Sequence, residues 1–447
     1  MSRRRVAVIG AGVSGLTAAY ILQRSYDVVL FESDDRLGGH AHTHDVPAET
    51  GGTIPVDTGF LVHNEQTYPH LIRLFRELGV QTQDTEMSMS VRCEGCGLEY
   101  AGARRTGGLF AQRSNSVNPR YLRMLGEVVR FHRNARALLL AAQYGRSAVP
   151  AGAAGVGQAA GAAAADDTQE QPTLGRFLAD GKYSPYFVDH FVMPLVSAVW
   201  STGTRDSRMY PAAYLFAFLH NHGMLTVSGS PAWKTVVGGS RTYVDRAVKG
   251  LASVNVATPV RAVRRTADGV EVRDDSDRPH RLDAVVLATH ADDALRLLAD
   301  PTPREQAVLG AFRYARNEAC LHTDTALLPR AAAARASWNY LKTSCHDGVD
   351  QDRVLVSYDL NRLMRLDQRT TYLVTLGATE RPREDSVVDR MVYEHPVFTP
   401  ESVTAQRSLP LLADGRTAFA GAYHGWGFHE DGCASGVRAA ASLGVVW

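Results

Sequence analysis

The feature that most constrains the fold lies at the start of the chain, where an apolar strand runs into a glycine-rich turn. Residues 6–9, VAVI, read as a short buried strand, and the turn Gly10-x-Gly12-x-x-Gly15 opens a helix. Gly10 permits a tight turn, Gly12 lets a pyrophosphate approach the backbone, and Gly15 lets helix and strand pack closely. The helix N-terminus offers free N–H groups to phosphate. The pattern predicts a Rossmann-like α/β unit that binds a dinucleotide.

The segment that follows completes the pattern expected of such a site. A second apolar strand, DVVLFE, ends in Glu32, where a carboxylate accepts both ribose hydroxyls of an adenosine. The same acid repels a 2′-phosphate, which argues against an NADP-type ligand. A glycine turn in an unrelated α/β protein is therefore a poor explanation of these residues.

The residues after this acid indicate which dinucleotide to expect. The pattern Glu32-x-x-x-Arg36-x-Gly38-Gly39 resembles the extended fingerprint of the FAD-binding amine-oxidase and phytoene-desaturase superfamily. The resemblance implies FAD, with the double glycine passing close to the diphosphate and the flavin. In that superfamily the next position is usually arginine, whereas here it is His40. Two questions stay open: what offsets the diphosphate charge, and whether His40 lies near the flavin ring.

Two groups of residues raise the alternative of a metal site. His40, His42 and His44 alternate, so on a strand all three side chains would leave one face. Because the flavin superfamily accounts for the position of His40, we expect no metal there, and His42 and His44 keep no assigned role. Cys93-x-x-Cys96 would need two more ligands nearby to bind zinc, so we interpret it as an exposed turn whose thiols can pair under oxidation.

The stretch VDTGFLVHN resembles a second superfamily element, an acid–x–Gly turn that runs past the flavin. Asp57, Thr58, Gly59 and Phe60 form this turn. His63 follows it and is a candidate base facing the isoalloxazine, although a histidine at a loop end is often bonded only to backbone.

The C-terminal stretch resembles the superfamily's last FAD motif. An apolar strand from Thr417 to Ala420 runs into Gly421 and an aromatic loop, and a helix begins near Asp431. In the superfamily this helix N-terminus points at the flavin N1–C2 carbonyl, where it stabilises negative charge. The acid that would bind the ribityl chain is replaced by Ala422, so that contact is lost or supplied elsewhere.

These resemblances and patterns together define the expected site. The residues expected to hold the cofactor are Gly10, Gly12, Val13, Ser14, Gly15, Glu32, Ser33, Arg36, Gly38, Gly39, His40, Asp57, Thr58, Gly59, Phe60, Val260, Thr289, Gly421, Ala422, Asp431, Gly432 and Cys433. The catalytic candidates are His429, His63, Trp426, Tyr423 and Glu430. Glu430 or Asp431 could instead cap the last helix.

The rest of the chain alternates between nucleotide-type and apolar segments. Residues 183–227 are rich in Phe, Met, Leu, Tyr and Trp, which suits either a helical core or the wall of an apolar cavity. We predict an α/β fold in which a Rossmann-like, glutathione-reductase-like FAD-binding domain of the amine-oxidase type is interleaved with an α+β substrate domain. The expected boundaries are 1–62, 232–292 and 405–447 for the FAD-binding domain, 63–231 and 293–404 for the substrate domain, and 148–171 for a flexible low-complexity loop.

Composition narrows the functional classes. The chain has 48 basic and 47 acidic residues and no like-charge block, so we expect no nucleic-acid partner. Five cysteines are too few for a disulfide framework and fit a reducing cytosol. No stretch reaches the roughly 20 uninterrupted apolar residues that span a bilayer. We expect a cytoplasmic protein, with transient contact at the membrane surface if its substrate is a lipid.

The resemblance implies an FAD-dependent oxidoreductase. The stretches GGHAHTH and GAYHGWGFHEDG look like those of a bacterial group of amine-oxidase-like proteins that includes enzymes acting on fatty acyl chains of membrane lipids. We therefore expect hydride transfer from an apolar, fatty-acyl or other lipid-like substrate to flavin N5, with oxygen or a separate electron acceptor. A flavin amine oxidase, a redox-neutral flavin-dependent isomerase and a redox-inert flavin-binding subunit remain as alternatives.

Overall fold

The computed structural model describes residues 3–49, 51–102, 105–147, 172–226, 231–345, 354–377 and 379–447. The low-complexity loop predicted at 148–171 lies outside these residues. Within the described ranges, no helix combines the length and the apolar character that crossing a bilayer requires.

Strands and helices alternate along the chain. The strands are β1 Arg5–Ile9, β2 Asp27–Phe31, β3 Thr43–Pro47, β4 Thr53–Asp57, β5 His63–Asn64, β6 Thr82–Asp84, β7 Met89–Cys93, β8 Glu99–Gly102, β9 Trp233–Val236, β10 Ser253–Asn255, β11 Val260–Arg265, β12 Val270–Asp274, β13 Pro279–Leu282, β14 Ala284–Leu287, β15 Arg313–His322, β16 Trp338–Lys342, β17 Val356–Asp359, β18 Leu373–Leu376, β19 Val387–Val397 and β20 Thr417–Phe419. The helices are α1 Val13–Leu22, α2 Pro69–Leu78, α3 Arg105–Leu109, α4 Pro119–Ser147, α5 Leu174–Asp180, α6 Pro185–Phe187, α7 Met193–Trp200, α8 Thr204–Met209, α9 Ala212–Asn221, α10 Arg241–Ala247, α11 Ala291–Leu297, α12 Pro303–Leu309, α13 Leu360–Met364, α14 Pro400–Gln406 and α15 His429–Ser442.

The glycine turn belongs to a five-stranded parallel sheet with the order β10-β2-β1-β14-β20. Alternate residues of β1 enter two different cores. Val6 and Val8 pack with α1 and α15, while Ala7 and Ile9 pack with α11 and the small β11-β12-β13 sheet. Because both faces are covered, the strands read as continuous apolar runs. The sheet confirms the predicted Rossmann-like α/β class.

The first and last helices of this layer approach closely because small residues separate them. A Cβ atom on Gly436 would lie 2.4 Å from the Ser14 carbonyl oxygen. A Cβ atom on Gly432 would lie 2.6 Å from Val13 Cγ1. The N-terminus of α15, which begins slightly before its predicted start near Asp431, is therefore held beside the glycine turn.

A seven-stranded sheet forms the second layer, in the order β19-β15-β18-β17-β16-β7-β8. Its pairs are antiparallel except β16 with β7. Strands β16, β17 and β18 follow one another along the chain and are also adjacent in the sheet. Helices α4, α5, α6, α7 and α9 share one hydrophobic core with this sheet. The domain boundaries themselves stay a prediction.

Candidate active site

A cavity of about 760 Å³ opens where the parallel sheet meets the apolar helices. Its lining includes Gly10 after β1, Glu32 after β2, Thr289 after β14 and Gly421 after β20. Ligands of open α/β sheets bind at the carboxyl ends of the strands. The cavity therefore lies where the glycine motif predicts a dinucleotide.

Most of the residues singled out from sequence line this cavity. They are Gly10, Gly12, Val13, Ser14, Glu32, Ser33, Arg36, Gly39, His40, Thr58, Gly59, Phe60, Val260, Thr289, Gly421, Ala422, Tyr423, Trp426 and His429. The remainder do not line it: Gly15, Gly38, Asp57, His63, Glu430, Asp431, Gly432 and Cys433. Of these, Cys433 is buried against α1, where its Sγ lies 3.4 Å from the Thr17 hydroxyl.

The glycine turn has the shape that a pyrophosphate requires. Gly10 has a φ of +97°, and a Cβ atom on Gly15 would lie 1.9 Å from the Gly10 carbonyl oxygen. Gly12 differs, since a Cβ atom there would meet nothing within 4 Å. Gly12 is also the N-cap of α1 and provides no side-chain cap. The first N–H groups of α1 thus face open space, which fits an anion.

Glu32 is oriented by backbone groups at the ends of β1 and β2. Its Oε2 accepts the Ala11 N–H at 2.7 Å, and its Oε1 accepts the Asp34 N–H at 3.0 Å. The Ser33 hydroxyl donates to Oε1 at 3.1 Å. The carboxylate is fixed at the cavity wall, as binding of a ribose requires.

Arg36 and His40 both line the cavity beside the double glycine. Arg36 Nη1 donates to the Gly39 carbonyl oxygen at 2.8 Å and lines the cavity. Burial holds the pKa of His40 well below its usual value, and His395 adds to the effect. The His40 ring lies 5.1 Å from that of Tyr393. Arg36 and Arg296 are the arginines among the described residues that line the cavity.

The other two alternating histidines lie side by side, with ring centroids 4.0 Å apart, although β3 begins only after His42. The hydroxyls that they contact, those of Tyr393 and Thr58, are 2.7 Å from each other. His42 Nδ1 lies 3.2 Å from the Tyr393 hydroxyl. His44 Nε2 lies 3.1 Å from the Thr58 hydroxyl, and its Nδ1 lies 3.2 Å from Asp389.

Asp57 bonds the second predicted turn, residues 57–60, to a neighbouring helix. Its two oxygens accept the Ser240 N–H at 3.0 and 2.8 Å, and Oδ1 also accepts the hydroxyls of Ser240 and Thr43 at 2.8 and 2.5 Å. Burial raises the pKa of Asp57 to about 6, against the opposing effect of these bonds. Asp57 thus ties the turn to the start of α10 and does not reach the cavity.

His63 lies in the core and does not line the cavity. It belongs to β5 and pairs with Lys234 of β9. It is fully buried beside Phe60 and Phe75, and neither ring nitrogen has a hydrogen-bond partner among the described residues. Burial lowers its pKa to about 4.

Glu430 and Asp431 cap helices. Glu430 accepts the N–H groups of His70 and Leu71 at 3.1 and 3.0 Å, which caps α2. Asp431 accepts the Phe428 N–H at 2.9 Å at the start of α15, and burial raises its pKa to about 7. Asp431 thus caps the last helix, which is the alternative noted from sequence, whereas Glu430 caps α2.

His429 and Tyr423 are the titratable groups of the C-terminal loop that do reach the cavity. The His429 ring stacks on Phe60 at 3.8 Å, and its Nε2 lies 3.1 Å from the Tyr243 hydroxyl. Burial lowers the pKa of His429 to about 3, so the ring is neutral. The Tyr423 hydroxyl is buried without a partner among the described residues, and burial raises its pKa.

The far end of the cavity has an apolar, aromatic wall that sequence reasoning identified only as a segment. Its lining includes Leu61, Val62, Met87, Val199, Trp200, Phe218, Met224, Trp233, Trp338, Tyr358, Trp426 and Phe428. Trp200 Nε1 donates to the Trp426 carbonyl oxygen at 3.2 Å, and Phe218 stacks on Phe428 at 4.5 Å. The low charge of 183–227 was the available signal, but it does not separate a cavity wall from plain core.

Several known proteins are similar to this chain in sequence or in fold. Coproporphyrinogen III oxidase of Mycobacterium leprae is 26% identical over 325 residues, which span 69% of this chain and 64% of that protein. Cyclohexylamine oxidase from Brevibacterium oxydans IH-35A has a similar fold, with a TM-score of 0.67, 17% identity and 99% of each chain covered. The CLA-producing fatty acid isomerase from P. acnes gives a TM-score of 0.64 at 15% identity, again with 99% of each chain covered.

The family follows from a match over nearly the whole chain. Residues 13–443 match the sequence profile of flavin containing amine oxidoreductases. The open N-terminus of α1 and the oriented Glu32 independently suit a dinucleotide with free ribose hydroxyls. The chain therefore belongs to the family of flavin-containing amine oxidoreductases, and its cofactor is FAD.

Proposed function

We propose that this protein is an FAD-dependent oxidoreductase that removes hydride from an apolar, fatty-acyl or other lipid-like substrate. The distribution of charge along the cavity carries the proposal. The charged side chains of the lining are Glu32, Asp34, Arg36, Asp293, Arg296 and Glu394. The first three follow β2, the next two belong to α11, and Glu394 belongs to β19. Glu394 lies 3.4 Å from His290. Among the described lining residues, the wall made by α7, α9 and the aromatic loop contributes none.

An uncharged wall selects between the two main substrate classes. A protonated amine would lose its hydration there without a carboxylate to replace it, which is costly. An acyl chain gains about 0.8 kcal/mol for each methylene that it buries. The wall therefore favours a long apolar substrate over a small cation.

The residues at the nucleotide end and at the apolar end of the cavity have different roles. The N–H groups at the start of α1 would hold the diphosphate and Glu32 the ribose. FAD supplies the two-electron acceptor for the hydride. Trp426 and Phe428, each held by a neighbouring ring or indole, orient the substrate and exclude water. Of the two predicted bases only His429 lines the cavity, and burial lowers its pKa to about 3, which leaves the ring neutral but makes it a weak base.

Two observations bear on the substrate class and on amine oxidation as an alternative activity. One protein with this fold is a fatty acid isomerase, so the architecture accommodates an acyl substrate elsewhere. Amine oxidation is the second candidate, because the family and the rings of Trp426 and Phe428 would suit a cation flanked by aromatic faces. A lipid substrate also implies transient contact with a membrane surface, which is part of the proposal.

The test is an anaerobic absorption titration of the purified holoprotein. Phospholipid vesicles and free fatty acid are compared with putrescine and cyclohexylamine. Bleaching of the flavin band by the lipids alone is the expected result. Bleaching by amines alone would overturn the proposal, and a band that stays oxidised while the acyl double bond moves would indicate an isomerase.

A further inference from the structure

We infer that Cys93, Cys96, His190 and Cys345 form a structural zinc site at the C-terminal ends of β7 and β16 in the seven-stranded sheet. Their three sulfur atoms and one ring nitrogen all lie within 4.8 Å of one another. The cysteines are free thiols. Three cysteines and one histidine are a common ligand set of structural zinc. The sequence showed only the Cys93-x-x-Cys96 pair, and the fold supplies the two ligands that it lacked.

The separations fit a tetrahedral ion. Zinc–sulfur bonds of about 2.3 Å and zinc–nitrogen bonds of about 2.0 Å place sulfur and nitrogen about 3.5 Å apart and two sulfurs about 3.8 Å apart. His190 Nε2 lies 3.5 Å from Cys96 Sγ and 3.6 Å from Cys345 Sγ. Cys93 Sγ and Cys345 Sγ are 3.2 Å apart and would separate by about half an ångström on binding.

Separate elements of the chain bring these ligands together. Cys93 is the last residue of β7, and it lies opposite Lys342 in the parallel pair with β16. Cys345 follows β16 and so arrives beside it. His190 comes from a helical turn of the π type, Val188–Val192, that directly precedes α7. Such turns insert a residue and redirect a side chain, often at functional sites.

The turn that joins β7 to β8 is shaped for the ligands. The Gly97 N–H bonds to the Cys93 carbonyl oxygen at 2.9 Å, and Gly97 has a φ of +73°. A Cβ atom on Gly95 would lie 2.6 Å from the Cys345 backbone nitrogen and 3.1 Å from its Sγ. Glycine at position 95 thus allows the turn to lie directly against Cys345.

The histidine is fixed with the correct nitrogen available. Its Nδ1 lies 3.0 Å from the Tyr186 carbonyl oxygen, so Nδ1 carries the proton and Nε2 keeps its lone pair for a metal. The Tyr100 hydroxyl donates to the His190 carbonyl oxygen at 2.7 Å, which fixes the backbone. Hydrogen bonds of this kind outside the ligand sphere orient metal-binding histidines.

A site with four protein ligands has no open position for substrate, so its role is structural. Binding releases the thiol protons and leaves three thiolates on the ion. The ion joins the ends of β7 and β16 to the helical turn that leads into α7, and the end of α7, Ala198–Trp200, lines the cavity. Zinc would therefore hold this wall in place at a distance from the flavin chemistry.

The experiment is metal analysis of the full chain, purified without added metal or a metal-affinity step. We expect about one zinc per chain by plasma mass spectrometry, with loss of nearly all of it in Cys345→Ser and His190→Gln. Cys320→Ala, which changes a buried cysteine outside the cluster, should keep the zinc. Protein that holds no zinc and has all five cysteines free to react, or that keeps full zinc in Cys345→Ser, would overturn the inference.

A second measurement keeps the test decisive if a variant fails to fold. Wild-type holoprotein is stripped of metal by a chelator and refilled with cobalt(II). Thiolate charge-transfer bands and the intense visible bands of tetrahedral cobalt are expected. Octahedral cobalt spectra, or a disulfide between Cys93 and Cys345 in the protein as isolated, would overturn the site. Neither outcome depends on which substrate the enzyme uses.

Discussion

The two ends of the cavity are made of different kinds of chemical group. The nucleotide end includes two glycine-containing stretches near the start of the chain, whose backbone also holds Glu32 and Arg36 in place. The apolar end consists of side chains drawn from segments far apart in the chain, such as Met87, Phe218 and Trp426. Recognition by backbone needs particular glycines at fixed spacing, whereas a wall of side chains needs only bulk and low polarity. The first kind leaves a motif in the sequence and the second does not.

The largest expected effect comes from adding one methyl group inside the glycine turn. In Gly15→Ala the new Cβ atom meets the Gly10 carbonyl oxygen at 1.9 Å, so the backbone must move. We expect a loss of about 3 kcal/mol or more in the free energy of unfolding, and loss of bound FAD. Thermal unfolding and flavin content measure both.

The matched control is Gly126→Ala in α4, where the Cβ atom has open space. It should be neutral or stabilising by up to about 1 kcal/mol. Equal behaviour of the two variants would mean that the turn tolerates side chains and is not a nucleotide turn.

Asp57 provides a pH test of the nucleotide end. Its pKa is raised from 3.8 to about 6, so between these values the folded protein holds a proton that the unfolded chain releases. The free energy of unfolding therefore falls as the pH rises through this interval, by about 3 kcal/mol, and stays at the lower value above it. Asp57→Asn cannot titrate and should remove that part of the slope.

Urea unfolding at several pH values between about 4 and 7 measures the difference between the wild type and Asp57→Asn. Asp431, whose pKa is raised to about 7, titrates in both proteins and cancels in the comparison. Parallel curves for the two proteins would contradict the assignment of Asp57 as a buried, titrating anchor.

Gly12→Ala separates folding from cofactor binding. Its Cβ atom meets nothing within 4 Å, so the apoprotein should unfold at the wild-type temperature. The methyl group occupies space that a pyrophosphate needs, and we expect FAD affinity to fall about 10- to 100-fold, or about 1.4 to 2.8 kcal/mol. Titration of apoprotein by flavin fluorescence measures it. Unchanged affinity would place the diphosphate elsewhere.

Met224→Glu tests the apolar end by placing a carboxylate of similar length in the wall. An acyl substrate would then have to desolvate that charge, so kcat/KM for fatty acyl substrates should fall at least about tenfold. Met224→Gln is the control that adds polarity without charge and should lose less. Lipid turnover that is unchanged in Met224→Glu would contradict the proposed substrate class.

The smallest expected effect is that of Glu430→Gln. The amide keeps one acceptor for the N-terminus of α2 but loses the charge, at a cost of about 1 kcal/mol in stability. We expect kcat/KM to stay close to that of the wild type. A tenfold fall in kcat with unchanged stability would return Glu430 to the acid–base candidates.

The sequence predicted the nucleotide end because each of its parts acts locally. Gly10, Gly12 and Glu32 lie on consecutive elements, and their roles follow from turn geometry. His63 and Glu430 could not be assigned in this way. The partner strand of His63 comes from Trp233–Val236, and Glu430 caps a helix 360 residues earlier.

The zinc ligands illustrate the same limit more strongly. Cys93 and Cys345 are 252 residues apart and meet only because β7 and β16 pair. No spacing of residues within the sequence predicts that β7 pairs with β16. The low charge of residues 183–227 predicted an apolar environment. Only the cavity in the structure shows that Trp200 belongs to its wall, whereas neighbouring residues belong to the core.

The order of the parallel sheet has a consequence for synthesis of the protein. The strand that follows β14 in the sheet is β20, and α15 packs on the glycine turn. A ribosome that has translated the entire N-terminal motif has therefore not yet made the parts that complete its binding site. We therefore expect FAD to enter after translation of β20 and α15, and a chain truncated before that point to keep the glycine motif but stay colourless.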